Sequence, residues 1–474
     1  MIKKAFQRLS DNTSLLSVKF SVSVAAVALA SGCSQFQPLQ RPDVALPAAW
    51  PTAPAQPAAA LSSTMTGDAV VADPGLKALV TQALANNRDA RVAAFQVAQL
   101  RAQAEGRDAV RWPTVNAGLT SSRQTVGANE PIKSNLTAGV QITAWEMDFF
   151  GRLESLKEAA LAQYLAAEQT RQSTQLSLVA GVATAWLNLQ TSDALLALTQ
   201  QTLATREQAL RLTRLRHESG IASALELRQA ESLAASAQVA LAQQQRQRAL
   251  DRNALALLVG QPVDQPLADA ALRPAGDPTQ ALAEVPVGLP SEVLLSRPDV
   301  RAAEQQLAAA NANVGAARAA FFPRVSLTAS LGSVSSELSG LFKGGTWGWA
   351  LAPQALLPIF DGGANQANLT AAQAARDVAL AQYEKAIQTA FKEVNDALVS
   401  RASLAEQLRA QSALVAAESE RLRLSELRLS QGVSGQLDVL DAQRGLFAAQ
   451  QALLQVQTAQ VLNRVALFKA TAGL

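Results

Sequence analysis

The sequence predicts a mixed α and β membrane protein built as an internal tandem repeat. It has long coiled-coil helices and four strands per chain, which need further copies to close a barrel. Three observations carry this. From Ala364 to Gln431 there is no Gly and no Pro, and apolar residues recur at helical spacing (Leu380, Tyr383, Ile387, Phe391, Val394, Leu398) before a seven-residue beat at Leu408, Val415, Leu422 and Leu429. Alternating steps of three and four, then sevens, describe a coiled-coil seam; at ~1.5 Å per residue the helix is on the order of 100 Å long. The stretch also occurs twice: Gly220-Ile221-Ala222-Ser223-Ala224-Leu225-Glu226-Leu227 aligns with Gly432-Val433-Ser434-Gly435-Gln436-Leu437-Asp438-Val439 at an offset of 212. Such a repeat must be recognised before any fold is assigned. Finally, residues 113–148 and 323–361 change the apolar period from 3.6 to 2.

Composition agrees and excludes much else. The 474 residues are 49% hydrophobic but only 4% aromatic and 17% charged, a helix-rich balance with small residues for close helix contacts. Lys3, Lys4, Arg8 and Lys19 against Asp11 account for the whole net charge of +3, so the remainder is neutral and offers nucleic acid no basic stripe. One Cys and one His leave no intrachain disulfide and no Cys/His metal site. His217 sits in Arg214-Leu215-Arg216-His217-Glu218, where it reads as a solvated helix end. No catalytic constellation is present, so neither an enzyme nor a cofactor is expected. No long uncharged apolar run follows residue 33, so no spanning helix is expected.

Residues 1–32 read as a secretory signal: a basic start, an apolar stretch from Phe20 to Ala30, then small residues. Ala30-Ser31-Gly32-Cys33 resembles the bacterial lipoprotein cleavage motif, with Ala30 where Leu is usual. Cys33 is therefore the expected lipidation site; the alternative is an ordinary exported signal with an incidental Cys. Ser34 after it fits sorting to the outer membrane. Residues 33–73 form a Pro/Ala-rich lead that cannot pack a core alone. Repeat one spans 74–260: short helices, a β-hairpin within 113–148, and a long helical hairpin at 151–260. A Pro-rich connector at 261–290 leads to repeat two at 291–474, with its β-hairpin within 323–361 and its helical hairpin at 364–474.

In the first β-hairpin, Val115, Ala117 and Leu119, then Leu136, Ala138, Val140, Ile142 and Ala144, alternate with polar or small residues. In the second, Val325, Leu327, Ala329 and Leu331, then Trp347, Trp349 and Leu351, do the same. Each strand is about the length that crosses a bilayer, with one face for lipid and one for a lumen. Trp112, Trp145, Trp347 and Trp349 are candidate membrane-interface aromatics. Four strands cannot close a barrel, since about eight are needed, and open edges do not face lipid. Three chains would supply twelve. The alternative is a soluble sheet with one buried face, against which few large apolar segments remain to cover it.

Further residues are similar to a known family. Leu294-Leu295-Ser296-Arg297-Pro298-Asp299-Val300-Arg301, Phe322-Pro323-Arg324-Val325-Ser326-Leu327-Thr328, Pro358-Ile359-Phe360-Asp361-Gly362-Gly363 and Leu437-Asp438-Val439-Leu440-Asp441-Ala442-Gln443-Arg444 resemble the outer-membrane efflux proteins. Within these they look like the lipoprotein branch that serves resistance-nodulation-division pumps. The resemblance covers about residues 33–474. It implies a homotrimer with a twelve-stranded barrel in the outer membrane and an α-helical tunnel across the periplasm. It also implies a periplasmic membrane-fusion adaptor and an inner-membrane transporter as partners, the transporter supplying the energy. The chain would be a passive, gated exit duct for drugs and other toxic small molecules. Rival readings are the exit duct of a type I protein-secretion system and a coiled-coil scaffold or adhesin without a pore.

The resemblance also assigns sites. Ser219, Gly220 and Ile221 at the first helical turn, and Gln431, Gly432 and Val433 at the second, match the family's adaptor-docking tips, although Ser219 and Gln431 depart from its commonest pattern. Plain helix capping by Gly is the alternative. Asp438 and Asp441, spaced i, i+3, share a helix face, with Leu437 and Arg444 beside them. These four match the stretch that constricts the closed tunnel. The alternative is that the acids simply favour a helix start. On the gate reading, trimer symmetry makes two rings of carboxylates, with Arg444 available to a neighbouring chain's acid.

Overall fold

The structure, a computed structural model, describes residues 73–125, 132–262 and 291–471. The signal, Cys33, the Pro-rich lead before residue 73, most of the first β-turn and most of the connector lie outside the described residues.

The element order is α1 (Pro74–Asn86), α2 (Arg88–Ala109), β1 (Val115–Gln124), β2 (Lys133–Met147), α3 (Arg152–Glu218) and α4 (Ala224–Val259). A 3-10 turn at Ser291–Ser296 is followed by α5 (Pro298–Ala319), β3 (Arg324–Ser335), β4 (Trp347–Leu356), α6 (Ala364–Ser430) and α7 (Gln436–Ala470). Helix α1 begins where Asp73 accepts the Leu76 N–H at 2.8 Å and Pro74 has no N–H that would need an acceptor. Helices α3 and α6 have 67 residues each. The described residues form two compact units, one of 97–167 and 302–383, the other of 73–96, 168–262, 291–301 and 384–471.

The first unit holds one antiparallel sheet in the order β1-β2-β3-β4. The two hairpins are joined by pairing of β2 with β3, which leaves one edge each of β1 and β4 unpaired within the chain. The register aligns the apolar residues in rows: Val115–Ile142–Ala329–Leu351, then Ala117–Val140–Leu331–Trp349. This apolar face is bare: every residue of β4 is exposed, as are Val115, Leu119, Val140 and Leu331. On the other face, Gly118, Gly139, Gly332 and Gly348 stand opposite one another across all four strands. A Cβ on Gly139 would lie 2.3 Å from the Leu331 carbonyl oxygen, and one on Gly332 2.3 Å from that of Ala138. Only glycine permits this approach at Gly139 and Gly332.

One expected alternation fails. Strand β2 continues past Ile142, but Thr143 and Ala144 together oppose Thr328, so Trp145 rather than Ala144 shares the apolar row with Leu327. Ala144 takes φ 49° and donates its N–H to Thr328 Oγ1 at 3.1 Å. This β-bulge reverses the phase of the strand below it. Beyond it, Glu146 pairs with Arg152 at 2.7 Å and approaches Arg324 at 3.5 Å. Asp148 then caps α3, accepting the N–H groups of Arg152 and Glu154 at 2.7 and 2.8 Å. Asp361 caps α6 in the same manner through Gly363 and Asn365, at 2.9 and 2.8 Å.

In the second unit, Val182, Trp186, Leu255, Val259, Ile387 and Val394 are among the buried residues. Further along α6, Leu408, Val415, Leu422 and Leu429 are half-buried while their neighbours stay exposed, as a heptad seam requires. Across the seam, Gln411 donates to the Ala449 carbonyl of α7 at 3.0 Å.

Candidate functional site

The long helices turn back at two closely similar tips. Gly220 has φ 74° and Gly432 φ 70°. Ile221 N–H returns to the Arg216 carbonyl at 2.8 Å, and Val433 N–H to that of Arg428 at 2.9 Å. Each is a left-handed glycine cap with a six-to-one bond, which satisfies carbonyls that the helix end leaves free. Ser219 and Gln431 donate their N–H groups to Leu215 and Leu427, both at 3.1 Å. Ile221 and Val433, 73% and 68% exposed, are presented to solvent.

Entry to the next helix differs between the tips. At the first, Ser223 accepts the Glu226 N–H at 3.2 Å while Glu226 accepts the Ser223 N–H at 2.7 Å, a capping box. The Ser223 N–H, more than any other group, holds the Glu226 carboxyl below the usual range. His217 is half-buried rather than solvated; its Nδ1 lies 2.9 Å from the Ala222 carbonyl across the turn. At the second tip Gly435 is the N-cap, and no side chain caps α7.

Just inside the second tip stand the four residues assigned to a constriction. Leu437 is 54% exposed. Asp438 is exposed and forms no ion pair among the described residues. Asp441 is held by two guanidinium groups, Arg444 of its own helix and Arg421 of α6. The Arg421 hydrogen bond is the main reason its carboxyl lies below the ordinary range, with the Arg444 charge adding to it. Arg421 also lies 3.2 Å from Glu418. Two features of this chain stand out here. The aspartates are not equivalent charges, because Asp441 is compensated and Asp438 is not. Arg444 meets an acid of its own chain, three residues away, where an i, i+3 pair needs no partner subunit.

Arg421 was not singled out from sequence. Its signal was there: it precedes Leu422 of the heptad beat, so it lies beside the seam. In the first repeat the positions equivalent to Arg421, Asp441 and Arg444 are Ala209, Gln229 and Ser232, which cannot form such a network.

The four tryptophans lie in the first unit. Trp112 is 73% exposed in the turn before β1. Trp145 Nε1 donates to the Arg111 carbonyl at 3.0 Å. Trp347 and Trp349 are exposed on β4, opposite Ser333 and Leu331. The Trp145–Leu327 row and the Trp347–Ser333 row are six residues apart along β3, about 20 Å at the strand rise. Among the described residues no helix is long and apolar enough to cross a membrane, and no His, Cys, Asp and Glu cluster could hold a metal ion.

Comparison with known proteins matches this geometry. The family profile described as Outer membrane efflux protein matches residues 79–261 and again 289–473. The chain is 44% identical over 468 residues to the Pseudomonas putida antibiotic efflux pump outer membrane protein ArpC, covering 96% of this chain and 95% of that one. Identity and coverage are the same with the toluene efflux pump outer membrane protein TtgC of Pseudomonas putida. Among solved structures, the open state of the Neisseria gonorrhoeae MtrE outer membrane channel aligns with a TM-score of 0.82 at 36% identity, over 93% of this chain and 98% of that one.

Proposed function

The chain belongs to the outer membrane efflux protein family, and from that premise we propose that it is the gated exit duct of a tripartite efflux system. It is an outer-membrane protein and not an enzyme. In this reading three chains close a twelve-stranded barrel continued by an α-helical tunnel. A periplasmic adaptor and an inner-membrane resistance-nodulation-division transporter complete the system. The exported compounds are small and toxic; the names of its relatives speak of antibiotics and toluene.

The observation that carries the reading is the sheet. Its two edges are unpaired, its apolar face is bare and in register, and a row of glycines crosses the opposite face, two of them with no room for a side chain. Pairing β1 of one copy with β4 of the next removes every edge. The bare face then meets lipid between the Trp145 and Trp347 rows, a span near the apolar band of about 25 Å that such barrels present. Leu212 and Leu215 near the first tip, and their repeat equivalents Leu424 and Leu427, are also exposed, as packing between copies would use.

The tandem repeat, the tips and the constriction belong to the same reading. Gly220 and Gly432 present Ile221 and Val433 to the adaptor, with Ser219 and Gln431 beside them. Leu437, Asp438, Asp441 and Arg444 line the closed periplasmic end, and Arg421 holds Asp441 to the neighbouring helix. Cys33 carries the lipid anchor. The test is the mass of the detergent-solubilised protein together with single-channel recording in planar bilayers. A trimer with a low resting conductance is expected; a conducting monomer would refute the barrel.

A further inference from the structure

In the second unit a cavity of about 200 Å³ opens between α3, α6 and α7. Arg206 of α3 lines it and is only 5% exposed. Its Nη1 donates to the Leu233 carbonyl and to Ser236 Oγ, both at 3.1 Å, and its guanidinium carbon sits 5.1 Å from the centre of the Phe447 ring. These partners are neutral. No carboxylate pairs with Arg206 among the described residues, and none lines the cavity. Its Nε–H is buried without an acceptor. The Gln443 side chain, which also lines the cavity, has its amide oxygen buried without a donor.

An arginine cannot relieve this by losing its proton. A buried, uncompensated charge is costly unless something of opposite sign joins it. The Phe447 face lowers the cost but leaves the full positive charge in place. The Gln443 amide can be turned over at no cost in shape, which would present its NH₂ in place of the orphan oxygen. A fixed cation and the Gln443 amide thus line a space fit for a small ion with a few waters. Drug-sized compounds need a larger pocket, so this is not a station for exported molecules.

We propose that the Arg206 cavity binds a small monovalent anion, a halide or a simple carboxylate. The bound anion neutralises Arg206 and braces α3 against α6 and α7. Its lining residues Leu422 and Gln443 adjoin Arg421 and Arg444 in sequence, so the brace acts on the two helices that carry the constriction.

The test uses bromide as the probe. Crystals of the full-length protein grown in bromide should show an anomalous peak in contact with the Arg206 guanidinium. In solution, at constant ionic strength, replacing the bulky anion gluconate by bromide should raise the unfolding temperature of the wild type. Arg206→Met, which keeps the length without the charge, should lose that dependence. The wild-type crystal stands alone if the variant does not fold. A cavity holding only water, or a carboxylate of a neighbouring protomer against Arg206, would overturn the proposal.

Discussion

Arg297 Nη1 donates to the Ala470 carbonyl at 2.8 Å and so ties the start of α5 to the last residue of α7. The same latch exists one repeat earlier, where Asn87 Nδ2 donates to the Leu258 carbonyl at 2.9 Å. Ala470 and Leu258 are 212 positions apart, the repeat offset, and Asn87 and Arg297 are 210 apart. Both residues are buried, each only 4% exposed. Different residue types thus meet one requirement: a helix end leaves carbonyls free, and a buried one needs a donor.

Removing either latch should destabilise the second unit. Arg297→Met leaves the Ala470 carbonyl without that donor and frees Asp299 and Glu393. Those carboxylates are 41% and 42% exposed, so their attraction is screened and adds little. The orphaned buried carbonyl dominates, and a loss of about 1–3 kcal/mol is expected. Asn87→Ala should fall in the same range. Denaturant unfolding followed by helical circular dichroism measures both; unchanged midpoints would show that water replaces the donors.

Glycines should divide sharply by position. Gly139→Val or Gly332→Val places side-chain atoms inside van der Waals distance of a neighbouring strand's backbone, so neither variant should yield assembled protein in the outer membrane. Gly181→Ala should do the reverse. Its Cβ would meet Leu258 at an ordinary 3.8 Å, and alanine in a helix interior gains roughly 0.5–1 kcal/mol over glycine. Membrane yield and thermal unfolding of the three variants decide the matter.

On the gate reading proposed above, the two aspartates should respond differently. Asp438→Ala removes the uncompensated charge and should weaken block by multivalent cations. Asp441→Ala or Arg421→Ala should instead raise resting conductance, because each cuts the link between α6 and α7. The Asp441 carboxyl lies below its ordinary value when folded. Its pairing therefore contributes fully to the folded chain above the unfolded pKa of about 3.9 and is lost as pH falls through the folded value, which lies lower; on the gate reading that pairing favours closure. Wild-type conductance should rise below about pH 4, and Asp441→Asn should conduct independently of pH there. Identical single-channel records for all variants would place the gate elsewhere.

Cys33→Ser should abolish incorporation of labelled fatty acid while leaving the protein in the outer membrane. Two acyl chains suffice for stable anchoring, but on the proposed reading a closed barrel of twelve strands would hold itself in lipid without them. Persistent labelling in the variant would remove the assignment.

Much of this could be read from residue order alone. The Gly-free and Pro-free run from Ala364 predicts a helix of the observed length, because helical propensity and seven-residue spacing act within a few turns. The glycines at 220 and 432 mark the turns, since only they tolerate the left-handed cap. Period-two alternation marks the strands, because successive side chains must point to opposite faces. Only the tertiary structure decided what depends on a neighbour distant in sequence. It joined β2 to β3, a pairing that no turn dictates. It placed a bulge at Thr143 and Ala144, where β2 matches the spacing of β3 rather than its own alternation. It gave Asp441 to Arg421, 20 positions away, and buried Arg206 against Phe447. A charge chooses its partner by distance in space, and sequence periodicity carries that information only within a single element.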